Sequence, residues 1–287
     1  MATSVLTFLR PPTRSLASLA RESDHPVPGE TATSTSAPPA TVAISGPTGV
    51  GDTCGFSLRG GSSLAPVGRC TVMEIGDSLG NDLGWGLARE VSATSGVDLI
   101  QLDKSATGLA DSSFYDWPGE LGGELSLYHP QLVLVCLGGN DEQGMEVDGS
   151  AVQFPTPAWE SAYLVQVRAL IGEATRNGAF VLWVGLPIMQ QASYSQGVQT
   201  LNALYQEAVK SERDASYVST WSLFADPQGG FQPTANVEGA PATLRQSDGI
   251  HLSFVGEDVV ATYVVREISS IYHVQLSPTD PSVITGW

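Results

Sequence analysis

The stretch Gly76-Asp77-Ser78-Leu79 places a serine where its hydroxyl can act as a nucleophile. The apolar run before it predicts a buried strand, and apolar residues at helical spacing follow it. A serine on such a turn is exposed at the carboxyl edge of a sheet, beside the unpaired N–H groups of a helix N-terminus. The alternative is that Ser78 is an ordinary helix cap, and this stretch alone does not separate the two interpretations.

Ester cleavage by a serine needs a base, because a neutral hydroxyl is a weak nucleophile. The chain has four histidines, and only His251 follows a predicted strand end with an acid, Asp248, three residues before it. Asp248 can hydrogen-bond one ring nitrogen and leave the other facing Ser78. Alternatively, Asp248 caps only its own turn.

The negative charge of a tetrahedral intermediate needs hydrogen-bond donors aimed at it. The candidate donors are the N–H groups of Ser78 and Gly108 and the side-chain amide of Asn140. Gly108 and Asn140 are each also residues typical of ordinary turns. Asp77 and Asp141 are interpreted as supports that hydrogen-bond loop backbone near the candidate donors.

The elements that must position these residues alternate between strand and helix from Thr71 onward. Strands are predicted over residues 70–75, 97–102, 131–137, 179–185 and 216–220. Helices are predicted after Ser78 and over residues 120–128, 157–176, 198–208 and 254–269. In the 157–176 helix, Ala162, Val165 and Ala169 are predicted to face the core. This alternation predicts an α/β fold, a parallel sheet covered by helices on both faces, in the flavodoxin-like order 2-1-3-4-5.

Sheets of this kind bind ligands beyond the carboxyl ends of their strands, beside the first strand. Each candidate polar group follows a predicted strand end. The sequence therefore predicts that these groups converge on one site, which favours a nucleophilic role for Ser78.

Composition limits the classes of partner. No apolar run reaches the roughly 20 residues of a membrane helix. The net charge of -17 argues against nucleic acid and against an anionic membrane surface. It favours neutral or cationic substrates, although an acidic exterior explains it equally well. No cluster of metal-ligand residues and no dinucleotide fingerprint is present, so neither a metal nor a cofactor is predicted.

Three segments are predicted along the chain. Residues 1–45 form a disordered tail rich in Ser, Thr and Pro, residues 46–70 a linker or lead-in, and residues 71–287 the main domain. Cys54 and Cys70 are candidates for a disulfide, which would require an oxidising compartment. Cys136 lies in an apolar run and is predicted to be an inert core residue.

These motifs resemble, in order, the four signature blocks of the SGNH hydrolases, also called GDSL-type esterases and lipases. Residues 76–79 resemble the first block, Gly108 the glycine of the second, residues 138–141 the third and residues 248–251 the last. The resemblance covers residues 71–270. It implies a three-layer α/β/α fold with a five-stranded parallel sheet, a triad of Ser78, His251 and Asp248, and an oxyanion hole of Ser78, Gly108 and Asn140.

The sequence around the blocks is most similar to a bacterial branch of unknown function whose members often occur at the cell envelope. The resemblance implies an acyl ester as substrate, on a small molecule or a polysaccharide, and favours deacetylation of a carbohydrate or cell-wall polymer. The resemblance adds little about location: an exported or envelope location is predicted, and a cytoplasmic one stays open. Trp117 and Tyr194 are the candidate sugar-stacking residues, and Met189 belongs to a candidate acyl pocket that can equally be ordinary wall.

Two other functions stay open at the level of sequence. An O-acyltransferase would use the same triad with a sugar hydroxyl in place of water. A non-catalytic carbohydrate-binding domain would use the same crevice but needs no nucleophile, base or oxyanion donor.

Overall fold

The computed structural model describes residues 65–66, 70–91, 97–272 and 274–275, and its central element is a five-stranded parallel sheet. The strands are β1 (Cys70–Gly76), β2 (Val97–Asp103), β3 (Leu132–Cys136), β4 (Phe180–Val184) and β5 (Ala215–Val218). They are arranged in the order β2-β1-β3-β4-β5, and every neighbouring pair is parallel. The predicted fold class and strand order are therefore confirmed.

Helices complete the three layers. They are α1 (Ser78–Val91), α2 (Trp117–Tyr128), α3 (Pro157–Arg176), α4 (Ala192–Lys210) and α5 (Phe254–Tyr272). Helix α1 packs against α5, and α3 packs against both α2 and α4. All five residues of β3 are buried, as expected for a strand covered on both faces.

Local capping sets the N-terminal boundaries of α2 and α3. Helix α2 begins three residues earlier than predicted, because the Asp116 carboxylate accepts a hydrogen bond from the N–H of Gly119 and Pro118 fits the first turn. Helix α3 begins after Thr156, whose hydroxyl caps the N–H of Trp159. The predicted bounds of α3 are confirmed.

The predicted inner face of α3 is wrong. Val165 is 60% exposed, and the core stripe consists of Trp159, Tyr163, Val167, Leu170, Ile171 and Ala174. Trp159 and Tyr163 stack with their ring centroids 4.5 Å apart. Two aromatic side chains at i and i+4 bury far more apolar surface than the alanines, so their burial decides the rotation of the helix.

Short two-stranded pairs flank the sheet. Met145–Val147 pairs antiparallel with Ser150–Val152, Thr234–Val237 pairs antiparallel with Ala240–Thr243, and Ala65–Pro66 pairs parallel with Val274–Gln275. A 3-10 turn spans Trp221–Phe224. Within the described ranges, no helix is long and apolar enough to cross a membrane.

The predicted tail and most of the predicted linker lie outside the described residues, as does Cys54. Cys70 is buried and disulfide-bonded, and Cys136 is a buried free thiol. The pairing of Cys54 with Cys70 stays a prediction.

Candidate active site

Ser78 is the first residue of α1, directly beyond the carboxyl end of β1. The carboxylate of Asp77 accepts a hydrogen bond from the N–H of Leu79 at 2.9 Å, and its carbonyl accepts one from the N–H of Asn81 at 2.9 Å. Asp77 therefore caps the helix. The hydroxyl of Ser78 lies instead 2.9 Å from Nε2 of His251.

The turn of residues 248–251 orients the imidazole of His251. The Asp248 Oδ2 atom lies 2.7 Å from Nδ1 of His251, and Asp248 Oδ1 accepts hydrogen bonds from the N–H groups of Ile250 and His251 at 2.8 and 3.0 Å. Burial raises the pKa of Asp248, but the hydrogen bonds from the ring and the two N–H groups together outweigh it and lower that pKa to about 2. Asp248 therefore stays a carboxylate that fixes the ring orientation.

Asp77 also joins the turn after β1 to the turn after β3. Its Oδ2 atom accepts hydrogen bonds from the N–H groups of Gly138 and Gly139 at 3.0 and 2.7 Å. Burial raises its pKa to about 6 in spite of the N–H groups that favour the charged form. These bonds hold the turn after β3 beside Ser78.

Asn140 and Gly108 lie together because Asp141 binds the turn after β2. The Asp141 carboxylate accepts hydrogen bonds from the N–H groups of Leu109 and Ala110 at 3.0 and 2.9 Å, and from the hydroxyl of Tyr163 at 2.6 Å. Burial raises the pKa of this carboxyl above its usual range. A Cβ on Gly108 would lie 2.0 Å from Asp141 Oδ1, so only glycine fits there.

The side chain of Asn140 is fixed by one of its two amide hydrogens. Its Nδ2 atom donates to the carbonyl of Thr107 at 2.8 Å. A primary amide has a second N–H, which can point toward a ligand oxygen. The predicted supports Asp77 and Asp141 thus bind backbone in the three turns that bring Ser78, Gly108 and Asn140 together.

The three candidate pocket residues differ in their positions. Tyr194 is half-buried, and its hydroxyl donates to the carbonyl of Gly139, so it lies beside Asn140. Trp117 is 3% exposed and its indole N–H donates to Thr107 Oγ1 at 3.0 Å, so it supports a loop and presents no face for stacking on a sugar. Met189 is 1% exposed, and its sulfur lies 3.4 Å from a guanidinium nitrogen of Arg245. Its side chain is therefore part of the packed wall and lines no open acyl pocket.

Sequence reasoning missed two residues that contact this site and one exposed aromatic residue on the helix that begins at Ser78. Asp82 and Arg245 are buried and contact the loop that carries His251. Trp85 is 51% exposed and lies on α1 seven residues after Ser78, on the same face of the helix. The spacing from Ser78 could have indicated Asp82 and Trp85, whereas no local pattern indicates that Arg245 is buried.

Comparison with known proteins identifies a family and a fold. The family described as "Protein of unknown function (DUF459)" matches residues 71–267. No curated protein matches the chain. Among solved structures, a catalytic mutant of an acetylxylan esterase from Geobacillus stearothermophilus is similar with a TM-score of 0.53 and 15% identity, over 75% of this chain and 100% of that chain. A GDSL-like lipase from Bacteroides thetaiotaomicron is similar with a TM-score of 0.52 and 15% identity, over 70% of this chain and 88% of that chain.

Identities this low show a shared fold, and the family match covers most of the chain. Both agree with the resemblance found in the sequence blocks. The chain belongs to the DUF459 family and has the three-layer fold of the GDSL-type, or SGNH, hydrolases.

Proposed function

We propose that the protein is a serine esterase that hydrolyses acyl esters. The observation that carries the proposal is the hydrogen-bonded series from Asp248 through His251 to Ser78, with distances of 2.7 and 2.9 Å. A binding site needs no imidazole between a serine hydroxyl and a carboxylate, whereas acyl transfer to serine needs that order.

The first half of the reaction forms an acyl-enzyme. His251 Nε2 takes the proton of Ser78 as its Oγ bonds to the ester carbonyl carbon, and Asp248 stabilises the imidazolium. The oxyanion is stabilised by the N–H groups of Ser78 and Gly108 and by the Asn140 amide. When the tetrahedral intermediate collapses, the carbon–oxygen bond to the alcohol breaks, and His251 returns its proton to that alcohol.

The second half releases the acid. His251 takes a proton from water as the water oxygen bonds to the acyl carbon. The bond from that carbon to Ser78 Oγ then breaks, and the serine regains its proton from the imidazolium. The net reaction consumes one water and yields an alcohol and a carboxylic acid.

We further propose acetyl esters on a carbohydrate or cell-wall polymer as the substrate class. The likeness in fold to an acetylxylan esterase supports this choice. The net charge of -17 suits an uncharged acetylated sugar better than an anionic lipid or phosphate ester. An exported or envelope location would bring the protein to such a polymer and stays part of the proposal.

A fluorophosphonate probe tests the nucleophile. We expect it to label the wild type and the variant Ser113→Ala, which removes an exposed serine, but not Ser78→Ala. Labelling that persists in Ser78→Ala would show that another residue is the nucleophile. If the wild type is not labelled, the binding-domain alternative replaces the esterase.

Acetate release separates hydrolysis from transfer. We expect the wild type to release acetate from 4-nitrophenyl acetate and from acetylated xylan without a glycan acceptor. Turnover that requires an added glycan, with little acetate released to water, would identify an O-acyltransferase instead.

A further inference from the structure

Arg245 is a buried arginine whose guanidinium binds backbone on two sides of the candidate site. It is 2% exposed and precedes His251 by six residues. One terminal nitrogen donates to the carbonyl of Ile188 at 2.7 Å. The other donates to the carbonyls of Gly249 and Ile250 at 3.2 and 2.5 Å and lies 3.4 Å from the sulfur of Met189.

Two aromatic rings also face the guanidinium. Its carbon lies 5.0 Å from the ring centroid of Phe224 and 5.3 Å from that of Phe231. Within residues 70–91 and 97–272, no carboxylate forms an ion pair with Arg245. Burial lowers its pKa to about 10, although the charges of Asp248 and Asp82 act in the opposite direction. Buried arginines are usually ion-paired, whereas the main hydrogen-bond partners of Arg245 among the described residues are backbone carbonyls.

Two of the three carbonyls that Arg245 binds belong to Gly249 and Ile250, the residues between Asp248 and His251. Gly249 has a φ of +69°, and its carbonyl also accepts a hydrogen bond from the N–H of Gln190 at 3.1 Å. The turn is therefore attached, through Arg245 and Gln190, to the segment that follows β4. That segment belongs to the sheet edge on which Ser78 lies.

We infer that Arg245 is a positioning residue, which fixes the turn of residues 248–251 so that Nε2 of His251 faces Ser78. This inference rests on the proposed esterase function. A planar guanidinium presents several donors at fixed angles, so it can bind the carbonyls of Ile188 and Ile250 at once. The ammonium of lysine is a single point on a flexible stem and cannot reproduce that geometry.

Two substitutions test the inference. Arg245→Met removes the guanidinium N–H donors and keeps much of the apolar volume. Arg245→Lys keeps a charge but loses the planar set of donors. A displacement of about 1 Å in a catalytic group costs on the order of a hundredfold in rate. We therefore expect kcat for 4-nitrophenyl acetate to fall about a hundredfold in Arg245→Met and roughly tenfold in Arg245→Lys, with little change in KM.

Arg89→Met is the matched control. Arg89 is partly buried, and it forms ion pairs with Glu257 and Asp258 that join α1 to α5 outside the 248–251 turn. We expect this control to lower the melting temperature and to keep the wild-type kcat. If Arg245→Met does not fold, Arg245→Lys carries the same test, measured on the fraction that circular dichroism shows to be folded.

A double-mutant cycle separates positioning from general destabilisation. If Arg245 acts through His251, Arg245→Met should lower the residual rate of His251→Ala by less than about twofold. An equal loss in both backgrounds would overturn the inference, as would a kcat near that of the wild type in Arg245→Met and Arg245→Lys. Failure of the proposed function is distinguishable, because the wild type would then show neither esterase activity nor probe labelling.

Discussion

The carboxylate of Asp82 accepts a hydrogen bond from the backbone N–H of Leu252 at 2.7 Å, although the two residues are 170 positions apart. Asp82 lies one turn after Ser78 on α1, and Leu252 directly follows His251. This single bond therefore joins the helix that begins at the proposed nucleophile to the loop that carries the proposed base.

Asp82→Ala should lower kcat more than Asp82→Asn. The alanine leaves the buried N–H of Leu252 without an acceptor, at a cost of about 1–3 kcal/mol, whereas the asparagine keeps a side-chain oxygen. We expect activity of the asparagine variant to stay within about tenfold of the wild type and that of the alanine variant to fall further. Steady-state kinetics on 4-nitrophenyl acetate provide the comparison. Equal activity in the two variants would contradict a role for this bond.

Gly108→Ala should impair catalysis severely. The added Cβ would lie 2.0 Å from Asp141 Oδ1, so either the 107–110 turn or the Asp141 carboxylate must move. We expect a loss of kcat on the order of a hundredfold, because the N–H of Gly108 is displaced. Gly123→Ala on α2 is the matched control, since its Cβ would contact no atom within 4 Å. Wild-type kinetics in both variants would remove Gly108 from the proposed oxyanion hole.

Asn140→Ala should lower kcat with little change in KM. The amide is proposed to stabilise charge that develops only in the transition state, and loss of one such donor costs roughly 3–4 kcal/mol. Probe labelling of Ser78 should slow in parallel. A rise in KM at unchanged kcat would instead assign Asn140 to binding of the ground state.

Glu74→Gln should make stability less dependent on pH. Both side-chain oxygens of Glu74 are buried next to Asp103, and a protonated Glu74 can donate a hydrogen bond to the Asp103 carboxylate. Burial raises the pKa of Glu74 well above its ordinary value, and the charge of Asp103 raises it further; burial also raises the pKa of Asp103 to about 6. Between the ordinary pKa values of these two carboxyls and their raised folded-state values, the folded protein binds more protons than the unfolded chain. The free energy of unfolding therefore falls as pH rises through the folded-state pKa values.

Urea unfolding at about pH 5 and about pH 8 measures this effect. At the higher pH, we expect the free energy of unfolding of Glu74→Gln to exceed that of the wild type by on the order of 2 kcal/mol. At the lower pH the difference should be smaller. Glu146→Gln, which changes an exposed acid, should follow the wild type at both. The same pH slope in Glu74→Gln and the wild type would contradict the assignment of a neutral Glu74.

Trp85→Ala should weaken the use of polymeric substrates only. Trp85 is exposed on the face of α1 that begins at Ser78, at a distance along the helix of roughly 10 Å. Loss of an aromatic contact worth about 1 kcal/mol should raise KM for acetylated xylan roughly fivefold and leave 4-nitrophenyl acetate unaffected. Leu127→Ala, at an exposed position of α2, is the control. Unchanged KM for the polymer would place the sugar elsewhere.

Much of the fold follows from local patterns in the sequence. The apolar runs correspond to β1 through β5, and the turn residues after them fall at the strand ends, because strand periodicity and turn chemistry act over a few residues. Asp248 and His251 were recognisable for the same reason, since three residues of separation on a tight turn bring their side chains into contact. The inner face of α3 was predicted wrongly because apolar residues occur on more than one side of that helix, and the sequence does not say which side packs against the core.

The amino-acid sequence by itself determined the order of the elements and which polar residues stand at the carboxyl edge of the sheet. Only the tertiary structure decided that Trp117 is buried, that Tyr194 contacts the carbonyl of Gly139, and that Arg245 binds Ile188 and Ile250. The bonds from Tyr194 to Gly139 and from Arg245 to Ile188 span 55 and 57 positions, and they depend on how the elements pack. Periodicity reports which face of an element is apolar, but it carries no information about the partner that face will meet.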